Sequence, residues 1–299
     1  MGEVVETVFD LMPDPPTISD ETYEKCRESG DFREILFEYY KYVAIICVIC
    51  SQTVFESPAL QISRKKWTVL VGLLTRCQRI MAAHLEYFQD GRYGDVTFIL
   101  DRCLLETCIK VRWISGDPAE IRLQRYFEDS LRTDKELLDE IKRNVVARNN
   151  VELVIESRML ASIARNADEA GINMADLAAM RRAPPLSAMM EAIGENRFVY
   201  TVVGKIASHA VHGSWANLLH SYLDQDENGN LVPASTFPNS HINQYVINCL
   251  FVIDACVDFL KKNFSDAEEI TYILAIIENC QKEIWELNLE IIGDDFSHN

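Results

Sequence analysis

Two segments of the chain carry side chains that could do chemistry together. Residues 196–222 hold three of the six histidines, His209, His212 and His220. Upstream, an apolar stretch carries Arg102 and Glu106, one helical turn apart. An arginine that holds a phosphate and a histidine that moves a proton would suffice to cleave RNA beside a 2′-hydroxyl. These residue types therefore raise a metal-independent ribonuclease as one hypothesis.

The two segments should meet inside the protein, because each is apolar around its helix axis. Polar side chains on central helices need hydrogen-bond partners. We therefore predict one cluster, in which Glu106 accepts hydrogen bonds from Arg102 and from His212 or Ser208. A sealed cluster would be structural, and a cluster that opens to a cleft would be an active or binding site. The predicted catalytic residues are Arg102, Glu106 and His212, and the predicted binding residues are Tyr200, Ser208 and His209.

Neither a metal nor a cofactor is expected. His209 and His212 are close enough to share an ion, but two histidines without a second ligand pair are more typical of core or capping histidines. A loop beginning at Asp224 fits the first half of an EF-hand, but its twelfth position is Ser235 rather than Glu. The sequence contains no Walker loop, G-x-G-x-x-G, G-x-S-x-G or H-E-x-x-H motif. The commonest enzyme classes are therefore disfavoured.

The nine cysteines are expected to be free thiols. Their number is odd, they lack the spacing of a disulfide framework, and most lie in apolar helical runs. Cys47 and Cys50 have the spacing of a redox pair, but no strand precedes them. Core packing is therefore the favoured interpretation for this pair.

Two motifs carry a resemblance to a known family. An Arg-x-x-x-Glu helix in ILDRCLLETCIKVRWI, with Arg102 and Glu106, is followed far downstream by a Ser-x-x-x-His segment in YTVVGKIASHAVHGSW, with Ser208 and His212. This arrangement resembles a family of helical bacterial proteins known only as a domain of unknown function. The resemblance covers roughly residues 30–265. It implies a helical fold with these four residues in the site.

The same arrangement is distantly similar to the HEPN helical superfamily. The metal-independent ribonucleases of that superfamily use an Arg, four to six residues, then a His. The resemblance implies an HEPN-like protein of the bacterial defence or toxin type. The chain has a literal match to that spacing at Arg79 and His84. We interpret it as a chance match, because it lies earlier in the chain than the superfamily's motif usually does.

Hydrophobic periodicity and cap signals predict an all-α protein, a bundle of about nine to eleven helices. Residues 95–114 should form its central helix. Gly213 followed by Ser214 should end one helix and cap the next. One short β-hairpin or loop is expected near residues 224–235, where Asn228 and Gly229 favour a tight turn. We assign residues 1–57 to an N-terminal acidic helical extension and residues 58–299 to the main bundle domain.

The net charge of −17 is unevenly distributed. It is −8 over residues 1–57, +2 over residues 58–212 and −11 over residues 213–299. Such a field disfavours binding to duplex DNA and to anionic membranes. The longest apolar run, residues 43–50, is too short to cross a bilayer, and no signal peptide is visible. A cytoplasmic location is therefore expected.

Whether the chain is an enzyme stays open at this stage. The alternative to an HEPN-like ribonuclease acting on RNA is a non-catalytic helical module. Such a module would bind a protein partner through its acidic C-terminal third, or pair with itself as a homodimer. A third interpretation is a small-molecule-binding module, with Arg102, Glu106 and His212 at the polar end of its pocket.

Overall fold

The computed structural model describes residues 11–88, 91, 93–177, 181–196, 199, 201 and 204–292. In this part of the chain there are eleven α-helices and one two-stranded hairpin, which confirms the expected all-α bundle with a short hairpin. In chain order the elements are α1 (Asp20–Ser29), α2 (Arg33–Ser51), α3 (Arg64–Phe88), α4 (Gly94–Ser115), α5 (Ile121–Ala147), α6 (Val154–Ala170), α7 (Leu186–Ala192), α8 (Lys205–His212), α9 (Trp215–Ser221), β1 (Leu223–Gln225), β2 (Leu231–Pro233), α10 (Ile242–Asn263) and α11 (Glu268–Ile292).

Four long helices, α2, α3, α4 and α10, form the main core. α2 and α4 each pack against both α3 and α10, so the four helices surround one apolar centre. Apolar residues recur on several sides of α2 and α10, which is why both can be buried on more than one face. Val43 on α2 and Phe259 on α10, for example, are fully buried. α11 covers α10 and α2 from outside.

The central position predicted for α4 is confirmed. One side of this helix packs against α3 and α10, and it also contacts α7 and α8. Its apolar residues Leu104, Cys108 and Ile109 are fully buried. Polar side chains on α4 must therefore find partners on neighbouring helices.

The predicted break between two short helices is also confirmed. Gly213 ends α8 in the left-handed conformation, with a φ of 54°. Ser214 then caps α9, and its hydroxyl accepts a hydrogen bond from the backbone N–H of Asn217 at 3.4 Å. The chain therefore turns sharply within the segment that carries the three histidines.

The hairpin forms where the turn signal predicts it. β1 and β2 are antiparallel, with Leu223 opposite Pro233. The carboxylate of Asp226 accepts hydrogen bonds from the backbone N–H groups of Asn228 and Asn230. These contacts hold the connecting loop in place.

The chain divides into two compact units. One contains the residues up to Gly116 together with those from Leu186 onwards, and the other is Asp117–Pro185. In the second unit, α5 and α6 pack against each other around a small apolar core. Packing places α2 in the same unit as α3, α4 and α10. The boundary at residue 57 stays a prediction from the charge distribution.

One described helix, α10, is long and apolar enough to cross a membrane by length and composition. Of its most apolar stretch, 56% is buried inside the protein. This is the burial pattern of a core helix, since a membrane span would present that surface to lipid.

Candidate functional site

Arg102 links α4 to the start of α8. Its Nη2 lies 2.8 Å from Oε1 of Glu106, as the i, i+4 spacing predicts. Its Nη1 donates a hydrogen bond to the backbone carbonyl of Gly204 at 2.9 Å. The Arg102 side chain is 17% exposed. The guanidinium is thus engaged on both sides and holds the first turn of α8 against α4.

Two contacts fix the direction in which the histidine segment follows α4. Gly204 meets Arg102 in the middle of α4. Farther along the segment, the hydroxyl of Tyr222 donates to the carboxylate of Asp95 at the N-terminal end of α4. From Gly204 to Tyr222 the residue numbers of the segment increase, whereas those of its partners on α4 decrease from Arg102 to Asp95. α8 therefore leaves Arg102 in the direction of Asp95.

The predicted pairing of Glu106 with Arg102 is present, but the predicted hydrogen bond to Glu106 from His212 or Ser208 is wrong. Within the described residues, Glu106 accepts no hydrogen bond from Ser208 or His212. Glu106 lies one turn beyond Arg102 in the direction opposite to the course of α8. His212 is the last residue of α8 and lies about 12 Å from Gly204 along the helix axis. The structure therefore joins Arg102 and Glu106 but leaves His212 outside this pair.

α8 packs against α4 as predicted, but the prediction that the histidines of this segment are buried is wrong. His209, His212 and His220 are all exposed, and Ser208 is half-buried. Nδ1 of His209 lies 2.8 Å from the hydroxyl of Ser214, so this histidine contributes to the turn between α8 and α9. The predicted binding residue Tyr200 lies outside the described residues.

Apolar side chains lie exposed on α8 and α9 and just after them. Trp215 is 60% exposed, and four further apolar residues in this segment are more than a third exposed. Small residues explain the asymmetry, because Gly204 and Ala207 let one side of α8 approach α4 closely. We refer to the exposed group as the α8–α9 surface; it consists of Val211, Trp215, Leu218, Leu219 and Tyr222.

The α8–α9 surface has an unusual charge environment for so acidic a chain. Between Glu195 and Asp224 the sequence contains no acidic residue. The exposed polar side chains among the described residues of this stretch include Lys205 and the three histidines. Apolar and basic groups therefore share this part of the molecule.

A buried polar network lies on the core-facing side of α4, and sequence reasoning did not identify it. The carboxylate of Asp101 accepts hydrogen bonds from Nε2 of Gln244 at 2.7 Å and from Nδ2 of Asn248 at 2.6 Å. Nε2 of His84 is 3.0 Å from the same carboxylate, although its orientation does not make a hydrogen bond. Burial raises the pKa of the neighbouring Tyr40 well above its ordinary value. An aspartate within a buried helix was the available sequence signal.

Arg79 and His84, which match the HEPN spacing, do not form a catalytic pair. The His84 side chain is fully buried, whereas Arg79 is exposed. Residues five apart on a helix point in different directions. His84 is thus a core residue of the Asp101 network. This agrees with the interpretation of the spacing between Arg79 and His84 as a chance match.

A second ionic cluster surrounds Arg112 near the end of α4. The guanidinium pairs with Glu195 and with Asp258, whose Oδ2 lies 3.0 Å from Nε, and Asp254 lies 3.5 Å away. Burial raises the pKa of Asp254, and the charge of Arg112 opposes that rise. Nowhere in the described chain do three or more His, Cys, Asp or Glu side chains form a group that could hold a metal ion. The cluster ties α4 to α10 and to the segment after α7.

A cavity of about 410 Å³ lies between α1, α2 and α11. Tyr23 and Tyr39 line it together with several glutamates and Arg27. Arg27 pairs there with Glu290 at 2.9 Å. None of the proposed site residues Arg102, Glu106 or His212 lines this cavity. It therefore gives no support to a ligand pocket built on them.

Fold and site together define an all-α bundle in which Arg102 pairs with Glu106 and anchors a segment with an exposed apolar surface. The chain belongs to a family described as "Family of unknown function (DUF5677)", whose model matches residues 68–230. This match confirms the resemblance to a domain of unknown function and leaves the HEPN similarity a prediction. No curated protein and no solved structure matches the chain.

Proposed function

We propose that this protein is a non-catalytic helical interaction module that binds a partner protein through the α8–α9 surface. The exposure of Trp215 and its four apolar neighbours carries this proposal. Contiguous exposed apolar groups on a soluble protein mark interaction sites. Tryptophan and tyrosine, which contribute most strongly to protein interfaces, are both present in the group.

The way α9 is held supports the same function. A seven-residue helix is too short to be stable alone in water. α9 is retained by the Ser214 cap and by packing against α8 and β1. Arg102 fixes the preceding helix through Gly204. The ion pair with Glu106 thus acts as a positioning device for a surface that the bundle itself leaves uncovered.

The test is site-specific photo-crosslinking with the full chain in its native cells. A photoreactive residue at Leu218 should give a discrete protein adduct, and the additional change Trp215→Ala should abolish it. The matched control carries the same photoreactive group at Glu227 on the exposed hairpin loop, which should give no such adduct. Equal labelling from both positions would show that this surface has no specific partner. An adduct from Leu218 that still forms after Trp215→Ala would show the same.

One observation favours a second candidate, the HEPN-like ribonuclease of bacterial defence acting on RNA in the cytoplasm. Lys205, His209 and His212 are exposed and fall on one face of α8, with spacings of four and three residues. Two imidazoles can serve as general base and general acid, and a lysine can stabilise the charge on the phosphate. In this version Arg102 positions α8 and does not contact the substrate.

A cleavage assay in the presence of a chelator tests this second candidate. Wild-type protein should cleave single-stranded RNA, and His209→Ala and His212→Ala should each abolish cleavage while the circular dichroism spectrum stays unchanged. His241→Ala serves as the matched control, because this exposed histidine lies outside α8. Cleavage that persists in both α8 variants would exclude this site.

A further inference from the structure

We infer that the partner of the α8–α9 surface is a second copy of this chain, which it contacts through the exposed face of α11. The inference rests on the proposed interaction function and names the partner. It also fixes the geometry of assembly, because two different surfaces of the same chain would meet.

Charge argues against pairing of the α8–α9 surface with itself. The stretch from residue 196 to 223 contains basic side chains and imidazoles but no carboxylate. Two copies of such a surface would bring Lys205 and His212 near their equivalents and would gain no opposite charge. A complementary partner should instead combine exposed apolar groups with carboxylates.

The outer face of α11 has this chemistry. Trp285, Leu289 and Ile292 are exposed and lie at i, i+4 and i+7, so they form one apolar stripe. Glu286 and Glu290 lie on one side of the stripe, where Glu290 pairs with Arg27 and Glu286 lies 3.5 Å from Lys282, so the opposite charge of this face is the net excess of carboxylates on α11. Over its whole length α11 has six glutamates and one lysine. It therefore offers both the apolar contact and the opposite charge that the α8–α9 surface lacks.

The two surfaces are on helices that pack against different core helices. α8 packs on α4, whereas α11 packs on α10 and α2. α2 and α4 are the two core helices separated from each other by α3 and α10. Association through two different surfaces is head-to-tail, so it continues from copy to copy unless the assembly closes into a ring.

Sedimentation velocity over a range of protein concentrations provides the test. Wild-type protein should grow beyond the monomer mass of 34.2 kDa as its concentration rises. Trp215→Ala and Trp285→Ala should each weaken association about tenfold or more, because each removes an aromatic anchor. Tyr272→Ala is the matched control: Tyr272 is even more exposed on α11 than Trp285 but lies off the stripe, so association should persist.

Mixing the two tryptophan variants gives the decisive result. Each variant keeps one intact surface, so an equimolar mixture should form dimers of twice the monomer mass and no larger species. If Trp285→Ala still associates, or if the mixture stays monomeric, the pairing with α11 is wrong. A wild-type protein that stays monomeric while Leu218 still crosslinks to a different protein would overturn only this inference. If wild-type protein stays monomeric and Leu218 also forms no adduct, the proposed interaction function is wrong.

Discussion

Nε2 of His84 lies 3.0 Å from Oδ1 of Asp101 at the centre of the bundle, and both side chains are buried. The contact joins α3 to α4. Gln244 and Asn248 join the same carboxylate to α10. One aspartate therefore links three of the four core helices through side chains that are buried, or partly buried in the case of Gln244.

Replacing Asp101 with alanine should destabilise the protein by about 3–5 kcal/mol, because the buried amide of Asn248 and the partly buried amide of Gln244 would lose their acceptor and the charge partner of His84 would be removed. Urea unfolding followed by circular dichroism measures the change. Ile99→Ala is the control on the same helix, since Ile99 is partly exposed and should cost much less. Equal stabilities of Asp101→Ala and Ile99→Ala would show that the network contributes little.

The helices were predictable because their signals are local. Periodicity located α4, the Gly213–Ser214 pair located the turn between α8 and α9, and Asn228 with Gly229 located the hairpin. The arrangement of Asp101 with Asn248 was not predictable in this way. The two residues are 147 positions apart, and only the choice of neighbouring helices brings them together.

The histidine segment shows a second limit of sequence reasoning. An apolar helical pattern indicates which face avoids water but not whether the chain itself covers that face. Gly204 and Ala207 do pack inward, as small residues in a central helix would. Trp215 and Leu218 are equally apolar but lie exposed. The sequence pattern therefore indicated correctly that one side of α8 packs inward, but it misplaced the histidines of the segment in the core.

Replacing Arg112 with methionine should destabilise the protein by about 3–5 kcal/mol, because Glu195 and Asp258 would lose their cation in a largely buried site. Thermal and urea unfolding at neutral pH measure the loss. Lys110→Met makes the same charge change two residues away and should have a small effect. A loss no greater than that of Lys110→Met would contradict the structural role of the cluster.

The same variant should change the pH dependence of stability. The pKa of Asp254 is already raised by burial, so the native state binds more protons than the unfolded state above about pH 4. The contribution of Asp254 to stability therefore falls as pH rises through that window. Without Arg112 the pKa of Asp254 should rise further. The variant should then lose more stability than wild type between pH 4 and pH 7, and parallel curves would refute this explanation.

Thiol reactivity should be low in the native protein. All nine cysteines are free, and all except Cys103 are buried. Burial raises the pKa of Cys280 to about 12, and the nearby Glu283 adds to the rise, so Cys280 carries little thiolate. A chromogenic disulfide reagent should titrate about one thiol quickly in native protein and all nine in denaturant. Cys103→Ser should remove the fast phase, and several fast thiols in that variant would show an opened core.

Gly94 at the start of α4 should not tolerate a side chain. Its N–H donates to the carbonyl of Pro238 at 2.9 Å, and the carbonyl of Gly91 accepts from Ser240 at 2.8 Å. A Cβ on Gly94 would overlap the backbone of Asn239, with the carbonyl carbon only 2.7 Å away. Backbone cannot move aside as the end of a flexible side chain can. Gly94→Ala should therefore destabilise the protein by about 1–3 kcal/mol.

Gly72→Ala is the matched control for this prediction. Gly72 lies within α3, and a Cβ added there meets no atom within 4 Å. Alanine loses less conformational freedom than glycine on forming a helix, so this change should stabilise the protein by about 0.5–1 kcal/mol. Opposite signs for the two substitutions in urea unfolding would establish the close approach of residues 238–240 to α4. Stabilisation by both would mean that this segment does not pack against the helix start.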